Sequence, residues 1–505
     1  MKFLSVLFAV FLLMQQDVLA QAGRDTICIL QLNDVYEIGP LEQGKVGGMA
    51  RVATIIKQHE SRYQTFVVLA GDFVSPSVIG TTKIGGIRVN GRHMVDIMNK
   101  IGVDLVTFGN HEFDIPENDL QQRINESVFN WTSSNAFHKD TNGTVRPFYR
   151  TRPDSVEIPN HFLLTSLQGQ IKAAIIAATI HSNPASFVFY TDNIKSMKQA
   201  YKQVKKNSDV VIGLTHLSLT EDEQVLRKVK HLPLIMGGHE HQHNYVTKRR
   251  GSIAKADANA KTIYQHLLYR DGKRSKIKIS STLLNVDSAI TPDPVIEKEV
   301  KDWEDKAYAS FRAVGLEPEA VVYHTSEPLD GTEASVRYKQ TNLGNLINAA
   351  MLAASPKADA AVLNSGSIRI DDMITGVVTQ LDIIRTLPFG GKICEVDLTG
   401  NLLNQVLTTS NNVKGLGGYL QTSTNLAFDG TNWLLNGATI DKTKTYKIVS
   451  PEFLFSGNEK GLEFLKDGNP EIKLITKYQA PTDIHTDIRL AVVKYLSSLE
   501  VNGER

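Results

Sequence analysis

Short apolar runs alternate with helical patterns along the first half of the chain. Six of these runs are rich in β-branched residues and lie at 27–32, 66–70, 104–108, 173–178, 210–215 and 233–236. Short buried strands separated by helical stretches are typical of βα units around a largely parallel sheet. The pattern therefore predicts an α/β domain, a sandwich built from βα units, over residues 25–290.

Polar residues follow most of these predicted strands directly. Five runs end in groups that bind ligands well, namely Asn33-Asp34, Gly71-Asp72, Gly109-Asn110-His111, His216 and Gly237-Gly238-His239. Because ligand sites in α/β proteins collect at the carboxyl ends of strands, we expect these side chains to share one site.

The pattern changes after the breaker Pro292-Asp293-Pro294. The segment 295–313 is highly charged and has few apolar anchors, so it predicts one long linker helix within 291–315. A helix at 343–354 and a strand at 360–363 then begin an α+β domain that we place at 318–500.

Composition narrows the class of protein. A chain of 505 residues is too long for one hydrophobic core, and two domains are expected. The 55 Lys and Arg residues balance 54 Asp and Glu residues, which argues against a nucleic-acid polymer or a membrane surface as partner. Cys28 and Cys394 are the only cysteines; two buried thiols are the favoured interpretation, with a disulfide left open.

The first twenty residues have the composition of an export signal. Lys2 precedes an apolar run at 3–14, and Val18-Leu19-Ala20 supplies the small residues that a signal peptidase reads. The run is too short to cross a bilayer as a stable helix. We therefore expect a signal peptide at 1–20, cleavage after Ala20, and a secreted or periplasmic protein that is not held in a membrane.

The polar strand ends contain a candidate metal centre. Its six candidate ligands carry nitrogen or oxygen donors, and they are Asp34, Asp72, Asn110, His216, His239 and His241. Singly, such an Asp is usually a helix cap and such a His a core or surface residue. Together they are the set that two divalent metals sharing one carboxylate require.

These motifs resemble the 5′-nucleotidase family of calcineurin-like metallophosphoesterases. The motifs that carry the resemblance are Leu32-Asn33-Asp34, Gly71-Asp72, Gly109-Asn110-His111-Glu112-Phe113-Asp114, Thr215-His216 and Gly238-His239-Glu240-His241. The resemblance implies two divalent ions, such as zinc or manganese, bridged by Asp72. It assigns Asp34, Asp72 and His241 to one ion, and Asp72, Asn110, His216 and His239 to the other. It also makes His111 and Asp114 the catalytic pair.

One position departs from the family pattern. Where the family has Asp-x-His at the first strand end, this chain has Asp34-Val35-Tyr36. A neutral imidazole binds zinc or manganese readily, whereas a phenol must first lose its proton. Three outcomes are open: Tyr36 ligates a harder ion, Glu37 or water fills the position, or the first metal is bound weakly. We favour water or Glu37.

The second domain resembles the C-terminal domain of the same family. The resemblance rests on Arg337-Tyr338-Lys339-Gln340-Thr341-Asn342, Asn364-Ser365-Gly366-Ser367-Ile368-Arg369 and Leu387-Pro388-Phe389-Gly390. It implies that Arg337 and Arg369 contact phosphate, Asn364 binds the base, and Phe389 and Phe453 stack on its faces. Glu459 stands where relatives carry an Asp that contacts ribose, one methylene longer.

The sequence thus predicts an exported, metal-dependent phosphoesterase that hydrolyses nucleoside 5′-phosphates. Its fold is expected to be a metallophosphoesterase sandwich, a linker helix and an α+β nucleotide-binding domain. Two alternatives stay open: a phosphoesterase for cyclic nucleotides or nucleotide sugars, and a nucleotide-binding protein that has lost catalysis. The oligomeric state cannot be deduced from these patterns.

Overall fold

The computed structural model describes residues 25–502, apart from 152–154, 183–184, 273–274 and 481–482. The predicted signal peptide lies outside the described residues. The chain forms two compact units. The first unit holds the chain up to Gly80 together with Arg88–Glu304, and the second holds Thr81–Ile87 together with the chain from Asp305 onward.

Two six-stranded mixed sheets build the first unit. The first sheet, in spatial order, contains Lys278–Asn285, Thr262–Tyr269, Thr26–Leu32, Gln64–Leu69, Leu105–Thr107 and Asn130–Thr132. The second contains His161–Thr165, Lys172–Thr179, Val210–His216, Leu234–Gly237, Gly251–Lys255 and Asn244–Lys248. All six predicted strands are present, and the predicted α/β sandwich is confirmed.

The register of the parallel strands brings their carboxyl ends level. In the first sheet Leu32 pairs with Leu69, and in the second Thr215 pairs with Gly237. Side chains from both sheets form one buried core, which includes Ile29, Val68, Ile175, Leu214 and Met236. The polar residues that follow these strands therefore leave the sandwich at one edge.

Hydrogen bonds of a buried glutamine link the two sheets within this core, below that edge. The fully buried amide of Gln31, on the first sheet, donates to the carbonyl oxygens of Gly237 at 3.0 Å and Ala254 at 2.9 Å, on the second. The Nε2 atom of His266 lies 2.9 Å from the Gln31 Oε1 atom. Burial lowers the pKa of His266 to about 3, so this ring stays neutral and carries no charge into the core.

Helices pack against the sandwich, and two of them begin at a side-chain cap. Asp192 caps one helix by accepting from the Lys195 backbone N–H, and Ser218 forms a capping box with Glu221 at the start of another. The helices of the first half of the chain are Met49–Glu60, Val78–Thr81, Arg92–Ile101, Glu117–Glu126, Asn193–Val204 and Leu219–Lys228, with a 3₁₀ helix at His111–Asp114.

Short strand pairs complete the first half of the chain. They are Pro40–Leu41 with Val46–Gly47, Lys83–Ile84 with Ile87–Arg88, Tyr149–Arg150 with Val156–Glu157, and the three strands Val145–Arg146, Ala136–Lys139 and Val188–Tyr190.

The predicted long helix runs from Pro294 to Arg312. The expectation that it has few apolar anchors is wrong. Ile296, Val300, Trp303, Ala307 and Phe311 are all buried. Their spacing of three or four residues places them on one face, so the helix is amphipathic. The charged residues on its other faces made this apolar pattern hard to recognise in the sequence.

The second unit is an α+β structure around a five-stranded sheet. Its strands, in spatial order, are Leu420–Thr422, Ala360–Asn364, Thr445–Pro451, Ile393–Thr399 and Ile472–Thr476. Ala361 and Leu363 face one buried cluster and Ala360 and Val362 face another, as expected for a strand buried on both sides.

Helices and small ribbons cover this sheet. The helices are Glu333–Val336, Asn342–Ala354, Gln380–Thr386, Gly400–Asn412 and Ile488–Asn502, with 3₁₀ helices at Ser365–Ser367, Glu452–Phe455 and Ile484–Thr486. The remaining strands are Val321–Asp330 with Met373–Thr379, and Leu426–Phe428, Trp433–Leu435 and Ala438–Thr439.

Cys28 and Cys394 are buried free thiols. This confirms the prediction of two buried thiols, and they form no disulfide with each other. Within the described part of the chain, every helix is too short or too polar to cross a bilayer.

Candidate metal centre and substrate-binding residues

The structure brings predicted ligands together at the shared edge of the two sheets. Donor atoms of Asp34, Asp72 and His216 all lie within 4.8 Å of one another. The His216 Nε2 atom is 3.1 Å from Asp72 Oδ2 and 3.9 Å from Asp34 Oδ1. His241 Nε2 is 3.5 Å from Asp34 Oδ1. Donors that share an ion at about 2.0–2.2 Å stand at comparable separations.

In both clustered carboxylates, one oxygen accepts hydrogen bonds from neighbouring N–H groups and the other faces the cluster. Asp34 Oδ2 accepts from the Asn33 amide at 2.8 Å and from the His239 backbone N–H at 2.9 Å, while its Oδ1 faces the cluster. Asp72 Oδ1 accepts from the His111 backbone N–H at 2.8 Å, and its Oδ2 faces His216. The backbone thereby fixes the orientation of both carboxylates.

The imidazole of His216 is fixed in the same way. Its Nδ1 atom lies 2.8 Å from the Ala70 carbonyl oxygen, which leaves Nε2 for the cluster. Burial opposes the charged ring, but the carboxylates of Asp72 and Asp34 outweigh it and raise the pKa of His216 to about 9. The two buried carboxylates thus favour positive charge at this place, which a divalent ion would supply.

Buried polar atoms without a hydrogen bond support a metal at this place. Among the described residues, Asp34 Oδ1, Asn110 Oδ1 and His216 Nε2 are all buried and lack a hydrogen-bond partner. Native structures rarely leave such groups unsatisfied unless an ion or water completes them. Two oxygens and one imidazole nitrogen suit a borderline divalent ion, so the residues present fit the predicted metal.

Four of the predicted ligands have strained backbones. Asp34, Asp72, His239 and His241 have φ angles of 54°, 58°, 88° and 53°. Residues other than glycine seldom adopt the left-handed region, where each costs roughly 1–2 kcal/mol. Such strain clusters at functional sites, because the surrounding structure must hold it in place.

Glu112 holds the loop that carries Asp72. It is fully buried, and its carboxylate accepts from the backbone N–H groups of Asp72, Phe73, Val74 and Gly109 at 2.5–3.1 Å. Burial, reinforced by the nearby Asp72 charge, raises the pKa of Glu112 to about 7. This role of Glu112 could not be predicted from the motif in which it lies.

A close approach of two loops also requires Gly109. A Cβ atom at this position would lie 2.1 Å from Asp72 Oδ1 and 2.7 Å from the Asp72 backbone nitrogen. Glycine therefore lets the two strand ends approach closely enough to place Asn110 beside Asp72.

Tyr36 lies inside the cluster. Its hydroxyl donates to Asp72 Oδ2 at 3.2 Å and is 3.0 Å from His241 Nε2. By contrast, Oε1 of Glu37 accepts from the Val78 backbone N–H at 3.0 Å. The phenol is therefore hydrogen-bonded within the cluster of predicted ligands.

His111 and Asp114 form a pair next to the cluster. Both belong to the 3₁₀ helix His111–Asp114, and His111 Nδ1 lies 2.6 Å from Asp114 Oδ2. Their side chains are 14% and 25% exposed, so a substrate can reach them. The contact fixes the ring orientation and leaves Nε2 as the remaining polar atom.

The second unit gathers three of its predicted substrate-binding residues in a buried group. The Asn364 amide donates to Glu459 Oε2 at 2.6 Å, and Arg337 Nη1 donates to Ser365 Oγ at 3.4 Å. Arg337, Asn364 and Glu459 are all buried. The nearby Arg369 donates through Nε to the Gly366 carbonyl oxygen at 3.0 Å.

Two predicted stacking residues are largely exposed. Phe389 and Phe453 are 54% and 51% exposed, which argues against a role in core packing. The Arg369 guanidinium lies 5.4 Å from the centre of the Phe389 ring. An exposed ring beside a cation offers a flat apolar face next to a site for a negative charge.

Known protein families match both parts of the chain. Residues 28–243 match the family model described as calcineurin-like phosphoesterase, and residues 321–467 match the 5′-nucleotidase C-terminal domain.

Similar proteins span nearly the same length. A snake venom 5′-nucleotidase from Crotalus adamanteus is 25% identical over 90% of this chain and 86% of its own. The human 5′-nucleotidase is 24% identical over 90% of this chain and 88% of its own.

A solved structure shares the fold. The 5′-nucleotidase precursor from Thermus thermophilus aligns with a TM-score of 0.69 at 21% identity, over 94% of this chain and 96% of that one.

Proposed function

Because the chain is a member of the calcineurin-like phosphoesterases with a 5′-nucleotidase C-terminal domain, we propose that it hydrolyses nucleoside 5′-phosphates to nucleoside and phosphate. It is a metal-dependent phosphoric ester hydrolase. The observation that carries the proposal is the contact between the His111 backbone and the Asp72 carboxylate, which sets a reachable imidazole beside the metal cluster.

The metal ligands divide between two ions in this proposal. Asp34, Asp72 and His241 would hold one ion, and Asp72, Asn110, His216 and His239 would hold the other. Divalent ions held here would polarise phosphate oxygens and lower the pKa of a bound water from about 15.7 toward about 7.

The protein's own residues orient the reacting groups. Asp114 holds the ring of His111 through Nδ1, so that Nε2 donates to a phosphate or leaving-group oxygen as negative charge develops there. Glu112 holds the backbone of the Asp72 loop, which keeps the Asp72 carboxylate in place for metal binding. Both contacts are made within the protein itself, as preorganised catalysis requires.

The second unit selects the substrate in this proposal. Arg337 and Arg369 bind the phosphate, Asn364 the base and Glu459 the ribose hydroxyls, while Phe389 and Phe453 stack on the base. The hydrogen bond from the Asn364 amide to Glu459 fixes which way that amide points. Glu459 thereby influences base recognition as well as the sugar.

Export is part of the proposed function. The charged and apolar pattern of residues 1–20 supports a signal peptide, and a snake venom enzyme is among the similar proteins. The protein then acts on nucleotides outside the cytoplasm. N-terminal sequencing of the mature protein tests this, since a start at Met1 would exclude cleavage.

The base-stacking role predicts a selective loss of affinity. Phe389→Ala and Phe453→Ala should each raise KM for adenosine monophosphate, because each lost stack on a base removes about 1–3 kcal/mol. KM for p-nitrophenyl phosphate, which has no base, should change much less. Steady-state kinetics with both substrates measure the difference.

Phe428→Ala is the matched control. Phe428 is 45% exposed in the same unit and belongs to no predicted subsite. Equal effects of the Phe389 and Phe453 substitutions on both substrates would show that these rings support the fold and do not bind the base.

A further inference from the structure

We propose that Lys255 is a positioning residue for the metal centre, and that its buried ammonium group holds the loops of three histidine ligands in place. The inference rests on the metal centre of the proposed function. It concerns how the ligands are aligned and is independent of which phosphoester is cleaved.

The ammonium group of Lys255 uses all of its donors. Lys255 ends the strand Gly251–Lys255, and its side chain is 1% exposed. Its Nζ atom donates to the carbonyl oxygens of Leu217 at 2.6 Å and Gly238 at 2.8 Å, and to the Glu240 carboxylate. An ammonium group has three N–H donors, so these contacts satisfy it completely.

Each of these three acceptors is next to a predicted ligand in the sequence. Leu217 follows His216, and Gly238 precedes His239. Glu240 stands between His239 and His241. One ammonium group thus joins two loops that come from different strands and carry all three histidines.

Two carboxylates complete this cluster. Asp222 is fully buried, and its Oδ2 lies 2.9 Å from Lys255 Nζ. Its Oδ1 accepts from the Thr215 hydroxyl at 2.7 Å, one residue before His216. Glu240 also accepts from the Leu219 backbone N–H through its other oxygen. Thr215 and Leu219 lie on either side of His216, so the cluster holds this loop at both ends.

Fold stability alone does not account for such a cluster. Taking charges out of water is expensive, and apolar groups of the same volume often serve a core as well or better. A charged cluster does fix direction, since each N–H must meet a particular oxygen. This matters where His239 and His241 have φ angles of 88° and 53°, because these backbones need external contacts to stay in place.

Glu240→Gln tests the proposal with little change of shape. The carboxylate serves Lys255 with one oxygen and the Leu219 N–H with the other, whereas an amide has only one oxygen. One contact must therefore be lost. Lys255→Met removes the charge and all three donors at nearly the same length. Lys248→Met is the control, since Lys248 is 46% exposed and pairs with Glu223 on the surface.

The probe is Mn²⁺ alone, titrated calorimetrically into chelator-treated protein, with the melting temperature of the metal-free protein measured in parallel. Loss of an outer contact to a metal ligand typically weakens affinity about 10–100-fold. We expect about tenfold for Glu240→Gln, more for Lys255→Met and no change for Lys248→Met. Excess Mn²⁺ should restore the release of p-nitrophenol from p-nitrophenyl phosphate by Glu240→Gln.

Unchanged Mn²⁺ affinity in Glu240→Gln, with a lowered melting temperature of the metal-free protein, would overturn the proposal and leave a purely structural role. If Lys255→Met does not fold, Glu240→Gln alone decides. A wild type that binds Mn²⁺ but cleaves no nucleotide would refute the proposed function, while the calorimetric comparison would still test Lys255. A wild type that binds no Mn²⁺ would overturn both.

Discussion

His111→Ala is expected to lower turnover of nucleoside 5′-phosphates by roughly two or more decades and to leave the metal content unchanged. His111 Nδ1 is engaged by Asp114 at 2.6 Å, so the variant loses an oriented donor for the charge that develops on oxygen. The ligand Asp72 accepts from the backbone N–H of residue 111 at 2.8 Å, and alanine retains that group.

Phosphate release and elemental analysis of metal content measure the two expectations. His324→Ala is the control, because His324 also pairs with a carboxylate, Glu500 at 2.9 Å, but is 46% exposed in the second unit. Near-normal turnover of His111→Ala would remove this residue from the mechanism. Loss of metal together with activity would make His111 part of the metal centre.

Tyr36→His is expected to tighten binding at the first metal by about 100-fold. Changes outside the ligand set typically alter metal affinity about 10–100-fold, and a directly binding imidazole should reach at least the upper part of that range. In the wild type the phenol hydrogen-bonds Asp72 Oδ2 and lies 3.0 Å from His241 Nε2. A neutral phenol in this place competes with the metal for a carboxylate lone pair.

A metal titration of phosphate release after chelator treatment compares the two proteins. We expect the wild type to need millimolar metal for full activity and the variant to need much less. Tyr36→Phe separates the explanations, because it removes the hydroxyl and adds no ligand. Saturation at lower metal in the wild type than in both variants would show that the phenol itself serves the metal well.

The strand ends could be predicted because they depend on local pattern. A β-branched run followed by Asp or His indicates a buried strand with a ligand at its carboxyl end, and Asp34, Asp72 and His216 all lie at such places. Parallel pairing then brings these ends together whatever the rest of the chain does. Local strand patterns therefore predicted the three residues whose donor atoms the structure brings together.

The supporting contacts could not be predicted in this way. Glu112 binds backbone groups about forty positions earlier, and Gln31 binds carbonyl groups more than two hundred positions later. Lys255 resembles any lysine at a strand end until the fold brings Leu217 and Gly238 to it. Such contacts depend on tertiary packing, which no local pattern records.

The left-handed backbones of four predicted ligands limit how this sequence can evolve. At Asp34, Asp72, His239 and His241 a new residue must tolerate positive φ as well as replace a ligand. Asparagine and glycine meet the first demand, whereas β-branched residues meet neither. Neutral drift should therefore pass through Asn or Gly at these positions. A descendant that has lost its metals is expected to carry Asn or Gly at these four positions, and the backbone path of the loops should stay the same.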